Sequence, residues 1–245
     1  MFMDGIHQLA FLAASIGLLH TAMGPDHYLP FVVLGRAEGW TLRKTLFWTA
    51  ICGLGHVLSS VALGGLGMAL GWAVPYMEGI EGTRGDLASY TLIGFGLIYF
   101  AWGVWRGRRG HSHQHRHSDG TVHVHSHAHE HDAERTDHAR TEHEEGAHVR
   151  SHRRTLWALF VVFILGPCEP LIPVLMVPAA SHSLWGVATV TAVFAVCTIG
   201  TMLAMVALGF CGLQLVVFQR LERYSHAAAG FAILVSGLAI KCLGL

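Results

Sequence analysis

The chain has 245 residues, of which 52% are hydrophobic and only 13% charged, with 16 basic and 16 acidic side chains. Soluble domains carry about a quarter of their residues as charges, so this composition argues against a soluble globular enzyme. The charges are also segregated, with 14 acids and arginines among the 46 residues from 107 to 152, and this uneven distribution marks an integral membrane protein with no nucleic-acid partner.

A hydrocarbon core of roughly 30 Å takes about 20 apolar residues per helical crossing. Six blocks qualify in chain order: 6–34, interrupted at Gly24-Pro25, then 42–72, 88–105, 156–180, 184–210 and 227–245. The first lacks a basic segment before it, only Asp4 preceding, so it reads as a crossing rather than a cleavable signal. Arginines and lysines gather after the first, third and fifth blocks (Arg36, Arg43, Lys44; Arg106, Arg108, Arg109; Arg220, Arg223) and before the fourth (Arg150, Arg153, Arg154). Cytoplasmic loops carry such excess. The predicted topology therefore has both termini outside and the segment 106–154 in the cytoplasm.

The two halves echo one another. Gly24-Pro25-Asp26-His27 matches Gly166-Pro167-Cys168-Glu169, Trp40 matches Trp185, Ala62-Leu63-Gly64 matches Ala207-Leu208-Gly209, and Gly94-Phe95 matches Gly230-Phe231. With an odd number of crossings per half, the second half runs in the opposite sense. Transporters use such inverted repeats, placing their site near the midplane where helices are broken. The expected fold is all-α: a polytopic membrane protein of six helices as a 3+3 inverted repeat. Residues 1–105 form the first three-helix unit, 106–154 a disordered histidine-rich loop, and 155–245 the second unit. Each Gly-Pro pair breaks or kinks its helix, because proline lacks the donor and clashes with the preceding turn.

Ionisable groups inside a membrane cost about 2.5–3.5 kcal/mol at the helix centre, and few occur here. They are His20, Asp26 and His27 in the first block, His56 in the second and Glu169 in the fourth. Imidazole with carboxylate suits borderline divalent ions such as Ni²⁺, Co²⁺, Zn²⁺ and Cu²⁺, and Met23 or Cys168 is placed to add a sulfur. A hydrogen-bonded structural cluster and a proton relay are the other readings of these residues. The five cysteines read as small apolar filler, although Pro167-Cys168-Glu169-Pro170 also resembles the motif of thiol–disulfide electron carriers of cytochrome c biogenesis.

Between 107 and 152 stand 13 histidines and few apolar residues, a composition unable to offset its conformational entropy by burial. Spacing of the His-x-His type at His111, His113, His115, His117, His123, His125, His127, His129 and His131 gives many weak, exchangeable metal sites. Buffering, delivery or sensing is the expected role of this loop, with selectivity left to the membrane residues.

His20 followed by Asp26-His27 and an apolar run resembles the signature of the nickel/cobalt permeases. The Gly-Pro-Asp-His form resembles the urease-accessory transmembrane proteins in particular, and Leu54-Gly55-His56 resembles the family's second histidine motif. The resemblance implies a permease, not an enzyme, in a bacterial-type inner membrane. It implies Ni²⁺ or Co²⁺ (with Zn²⁺ in reach) as transported ion rather than permanent cofactor. Cytoplasmic metallochaperones or urease and hydrogenase maturation proteins would be its partners. A thiol–disulfide electron carrier and a metal-buffering membrane protein without transport are the alternatives.

Overall fold

The computed structural model describes residues 2–71, 74–109, 112–116, 122–126, 156–166, 168, 170–180, 183–212 and 224–243. Helix α1 (Phe2–Met23) ends at Gly24 and leads through a 3-10 turn (Pro25–His27) into the short α2 (Leu29–Ala37). Two long helices follow, α3 (Leu42–Ala69) and α4 (Val74–Arg109). After the histidine segment come α5 (Leu156–Leu165) and α6 (Leu171–Ala180), then the long α7 (Leu184–Gly212) and α8 (Ser225–Leu243). Among the described residues five helices (α1, α3, α4, α7 and α8) are long and apolar enough to cross a membrane. The protein is an all-helical membrane protein in its body.

Two sequence expectations change. The third block does not begin at 88: α4 starts at Val74 and runs to Arg109, past the expected boundary at 105. The charges of its first turns are absorbed by pairing, since Glu81 and Arg84 lie one turn apart and form an ion pair, with Glu81 wholly buried. The fourth block is two short helices, α5 and α6, separated at Gly166-Pro167 where a break or kink is expected. The histidine segment holds a two-stranded antiparallel ribbon, β1 (Ser112–Arg116) with β2 (Val122–Ser126), pairing His113 with His125 and His115 with His123. Alternation of period two is strand-compatible wherever a turn allows pairing.

Local signals explain the remaining junctions. Gly39, at φ +67°, stands just past α2, and the Trp40 amide donates to the Gly35 carbonyl at 2.7 Å while the Gly39 amide donates to Arg36. This is the left-handed cap that glycine alone adopts without strain. Thr41 then caps α3 by accepting from the Lys44 amide.

Between helices, lipid offers no hydrophobic drive, so packing and close backbone approach decide which faces meet. Glycine supplies the approach. A Cβ at Gly96 would stand 2.8 Å from Leu234 Cα, one at Gly103 2.7 Å from Ala227 Cα, and one at Gly230 2.6 Å from Phe100 Cα. These contacts run in opposite chain directions, so α4 and α8 cross antiparallel. Gly17 brings α1 onto Phe194 and Thr198 of α7, Gly53 brings α3 onto Met202 of α7, and Gly55 brings α3 onto Phe160 and Ile164 of α5. Phe31, Leu34, Phe163, Met202 and Ile233 fill the core where these helices converge.

Candidate metal centre

The break after α1 places the first two histidines. Gly24 has β-type backbone angles (φ −82°, ψ 101°), and the tight turn Pro25–His27 brings His27 back beside the last turn of α1. The His20 and His27 rings meet edge-on with centroids 4.9 Å apart. His56, from the middle of α3, meets His27 in the same way at 5.3 Å. One ring nitrogen from each of the three lies within 4.8 Å of the others. His27 and His56 are buried, each 3% exposed.

The protons on these rings follow from their neighbours. A carbonyl can only accept, so Nδ1 of His56, 3.2 Å from the Phe163 oxygen, carries the hydrogen. Nδ1 of His27 faces the Asp26 carboxylate at 3.1 Å and the Gly24 carbonyl at 3.3 Å, both acceptors. In the neutral rings Nε2 is then a lone-pair atom. The Nε2 atoms of His20, His27 and His56 are all buried without a hydrogen-bond partner among the described residues. Leaving a buried polar atom unpaired costs about 1–3 kcal/mol. Three imidazoles that each offer a ring nitrogen within 4.8 Å of the others make a group that could hold a metal ion.

The four predicted residues His20, Asp26, His27 and His56 all line one cavity of about 320 Å³, which extends to Ser89, Asp86 and Lys241. Asp86 and Lys241 form an ion pair of 2.5 Å between α4 and α8, and Asp86 is exposed, so the cavity reaches the surface there. Asp26 stands behind His27 as its hydrogen-bond acceptor. Carboxylate, imidazole and metal in line is the arrangement that fixes the tautomer and orientation of a ligating histidine.

Other predicted ligands fall elsewhere. Met23 is 64% exposed, on the outer face of α1. Cys168 is fully buried but outside the histidine group, packed with Ala13, Leu171 and Phe194, its thiol sitting in an apolar cluster. Glu169 lies outside the described residues, as do His111, His117, His127, His129 and His131. His113, His115, His123 and His125 are on the two strands. All five cysteines are free, so the chain has no disulfide.

Sequence reasoning missed the groups around the second helix break. Arg84 donates from Nη2 to Ser59 Oγ and the Ile164 carbonyl, both at 2.8 Å, and pairs with Glu81. Glu81 Oε2 accepts from the Cys168 amide at 3.2 Å. Glu78, Glu81, Arg84 and Asp86 fall between the apolar blocks 42–72 and 88–105, where the sequence alone reads as a polar junction. The signal that separates the two cases is the three-residue spacing of Glu81 and Arg84, which puts both on one helix face.

No protein-family model, curated protein or solved structure matches this chain.

Proposed function

We propose that this chain is a permease for divalent transition-metal cations, with Ni²⁺ or Co²⁺ as its principal cargo, and that His20, His27 and His56 bind the ion in passage. The observation that carries the reading is the gathering of three imidazoles, each with a buried and unpartnered Nε2, in the lining of one cavity that reaches the surface. Three neutral nitrogens favour borderline ions over hard ones such as Mg²⁺, which take oxygen ligands. A tetrahedral ion with metal–nitrogen bonds of about 2.1 Å sets its ligands about 3.4 Å apart. The imidazoles, within 4.8 Å of one another, reach that spacing by small ring movements.

Six crossings arranged as a 3+3 inverted repeat are part of the same proposal. In its favour, a broken helix pair precedes two long helices in each half: α1–α2, α3, α4 and then α5–α6, α7, α8. Two repeat-related glycines also abut site histidines, Gly24 against His27 and Gly166 against His56. With the histidine segment cytoplasmic in a bacterial-type inner membrane, the cavity faces outward. The opposite side is closed by Arg36 of α2, which donates to the Phe210 carbonyl of α7, and by Tyr99, which bonds Glu38 at 3.0 Å and His226 at 2.8 Å. Alternating access follows if these contacts open as the outer cavity shuts. Metallochaperones or urease and hydrogenase maturation proteins would receive the ion on the cytoplasmic side.

Vesicles reconstituted with wild type, His27→Ala and Cys168→Ser test this by following Ni²⁺, Co²⁺ and Zn²⁺ flux. The permease predicts loss of flux in His27→Ala and retention in Cys168→Ser. Equal flux in wild type and His27→Ala contradicts the site, and loss confined to Cys168→Ser points to thiol chemistry instead.

A further inference from the structure

We infer that the buried pair Glu81–Arg84 positions His56 for metal binding, Arg84 and Glu81 being positioning residues that touch no ion themselves. The inference rests on the reading of the histidine centre as a metal site. It begins with an account of the end of α5, whose last carbonyls have no partner within the helix. The Val162 carbonyl accepts from the Gly166 amide at 2.8 Å. The Phe163 carbonyl accepts from His56 Nδ1 at 3.2 Å. Those of Ile164 and Gly166 accept from Arg84, at 2.8 and 3.4 Å. The first amide described after the break, Cys168 N, donates to Glu81 Oε2 and Ser60 Oγ, each at 3.2 Å. One ion pair on α4 thus holds both sides of the break between α5 and α6.

His56 is gripped by the same group twice. Its ring is aimed by the Phe163 carbonyl, the immediate neighbour of the Ile164 carbonyl that Arg84 holds. Its own backbone carbonyl accepts from Ser59 Oγ at 2.8 Å, and that oxygen accepts from Arg84 Nη2 at 2.8 Å. Two short routes therefore run from one guanidinium to one ligand, through α3 and through α5. The planar fork of arginine serves several acceptors in fixed directions, which lysine does not. The pair is also costly to bury, with Glu81 unexposed and the Arg84 side chain 18% exposed. A buried ion pair is weak evidence for stability, because hydrophobic replacements often do as well. A positioning role accounts for the pair where stability does not.

The test is an optical titration of the purified full chain with Co²⁺ alone, read as the ligand-field difference spectrum against His27→Ala, which carries the same histidine loop. The pair variant Glu81→Gln with Arg84→Gln removes both charges, leaving no orphaned carboxylate. Outer partners of metal-binding histidines are worth about 10–100-fold in affinity, and the pair variant should raise the Co²⁺ midpoint by that factor and shift the bands. Ser59→Ala, which cuts only the α3 route, should raise it several-fold. In a His56→Ala background the pair variant should change nothing more. Wild-type midpoints and bands in folded pair variant and Ser59→Ala overturn the inference, as does the same fold-loss with and without His56. If the pair variant does not fold, Ser59→Ala decides alone, a wild-type midpoint being the refutation. A wild type with no Co²⁺ spectrum beyond that of His27→Ala refutes the metal centre itself, before any Arg84 variant is read.

Discussion

His56 Nδ1 and the carbonyl oxygen of Phe163 face each other across 3.2 Å, although their residues are 107 positions apart in the chain. That bond decides which nitrogen of His56 is free, and with Asp26 doing the same for His27, two of three imidazoles keep Nε2 as their unpartnered nitrogen. A ligand and an orienting group are different roles, and substitution separates them. His27→Ala should abolish saturable Co²⁺ uptake into vesicles. Asp26→Ala should raise the KM about 10–100-fold while leaving a measurable rate, the usual cost of removing an orienting carboxylate. Identical losses in the two variants would make Asp26 a direct ligand.

The ligand form of histidine is the neutral ring, so protons compete with the ion. The direction is fixed: acidification protonates the rings and expels the metal, whereas raising the pH strengthens binding. Co²⁺ affinity should fall as the pH is lowered and recover as it is raised. An affinity that rises on acidification, measured by equilibrium dialysis on protein lacking residues 110–148, would exclude a three-imidazole site.

Gly24 is the position where backbone and site are most tightly joined. A Cβ there would stand 2.6 Å from His27 Nδ1 and 2.8 Å from Asp26 Oδ1, closer than real Cβ atoms come. Both groups belong to the centre and cannot yield without moving Nε2 of His27. Gly24→Ala should therefore impair uptake as severely as Asp26→Ala while leaving thermal stability within about 1 kcal/mol, since the strain is local. Gly65→Ala, where nothing lies within 4 Å, is the matched control.

The histidine cluster was legible in the sequence because ionisable residues in apolar blocks are rare and stand out singly. His20, Asp26, His27 and His56 were identifiable on that ground, and the helix break that gathers them is written in Gly24-Pro25. Glu81 and Arg84 were not legible, because charges that neutralise one another inside a helix look, residue by residue, like a loop. For the same reason the start of α4 was placed at 88 instead of Val74. Cys168 was misplaced for a different reason. Sharing a repeat position with Asp26 aligns two backbones but does not make their side chains face the same point, and the thiol packs with Phe194 and Leu171 instead.

The antiparallel crossing of α4 and α8 joins the two halves through close glycine contacts as well as the Asp86–Lys241 and Tyr99–His226 pairs. Added methyl groups at Gly103 or Gly230 would meet backbone atoms of the partner helix within 3.0 Å, and backbone cannot rotate away as a side chain does. Overpacking of this kind costs about 1–3 kcal/mol. Gly103→Ala and Gly230→Ala should each lower the melting temperature in detergent, whereas Gly94→Ala, with open space around it, should not. Equal melting temperatures for all three would mean that the helices are not packed this closely.

The histidine segment and the membrane centre differ in what fixes their geometry. In the segment, 13 histidines fall between residues 107 and 152, and a ribbon pairing His113 with His125 and His115 with His123 is its described regular structure. A strand pair held outside a core is marginal in water, so any metal sites its imidazoles offer would be exchangeable, their number mattering more than their order. The centre has three rings fixed by packing, by carbonyls and by a carboxylate. Deleting residues 110–148 should therefore lower the number of ions bound per chain several-fold, read by metal analysis after dialysis, while the KM for Co²⁺ entry changes less than about threefold. Complete loss of flux from correctly inserted deletion protein would place an obligatory step of transport in the segment, and the three-histidine centre would then be insufficient by itself.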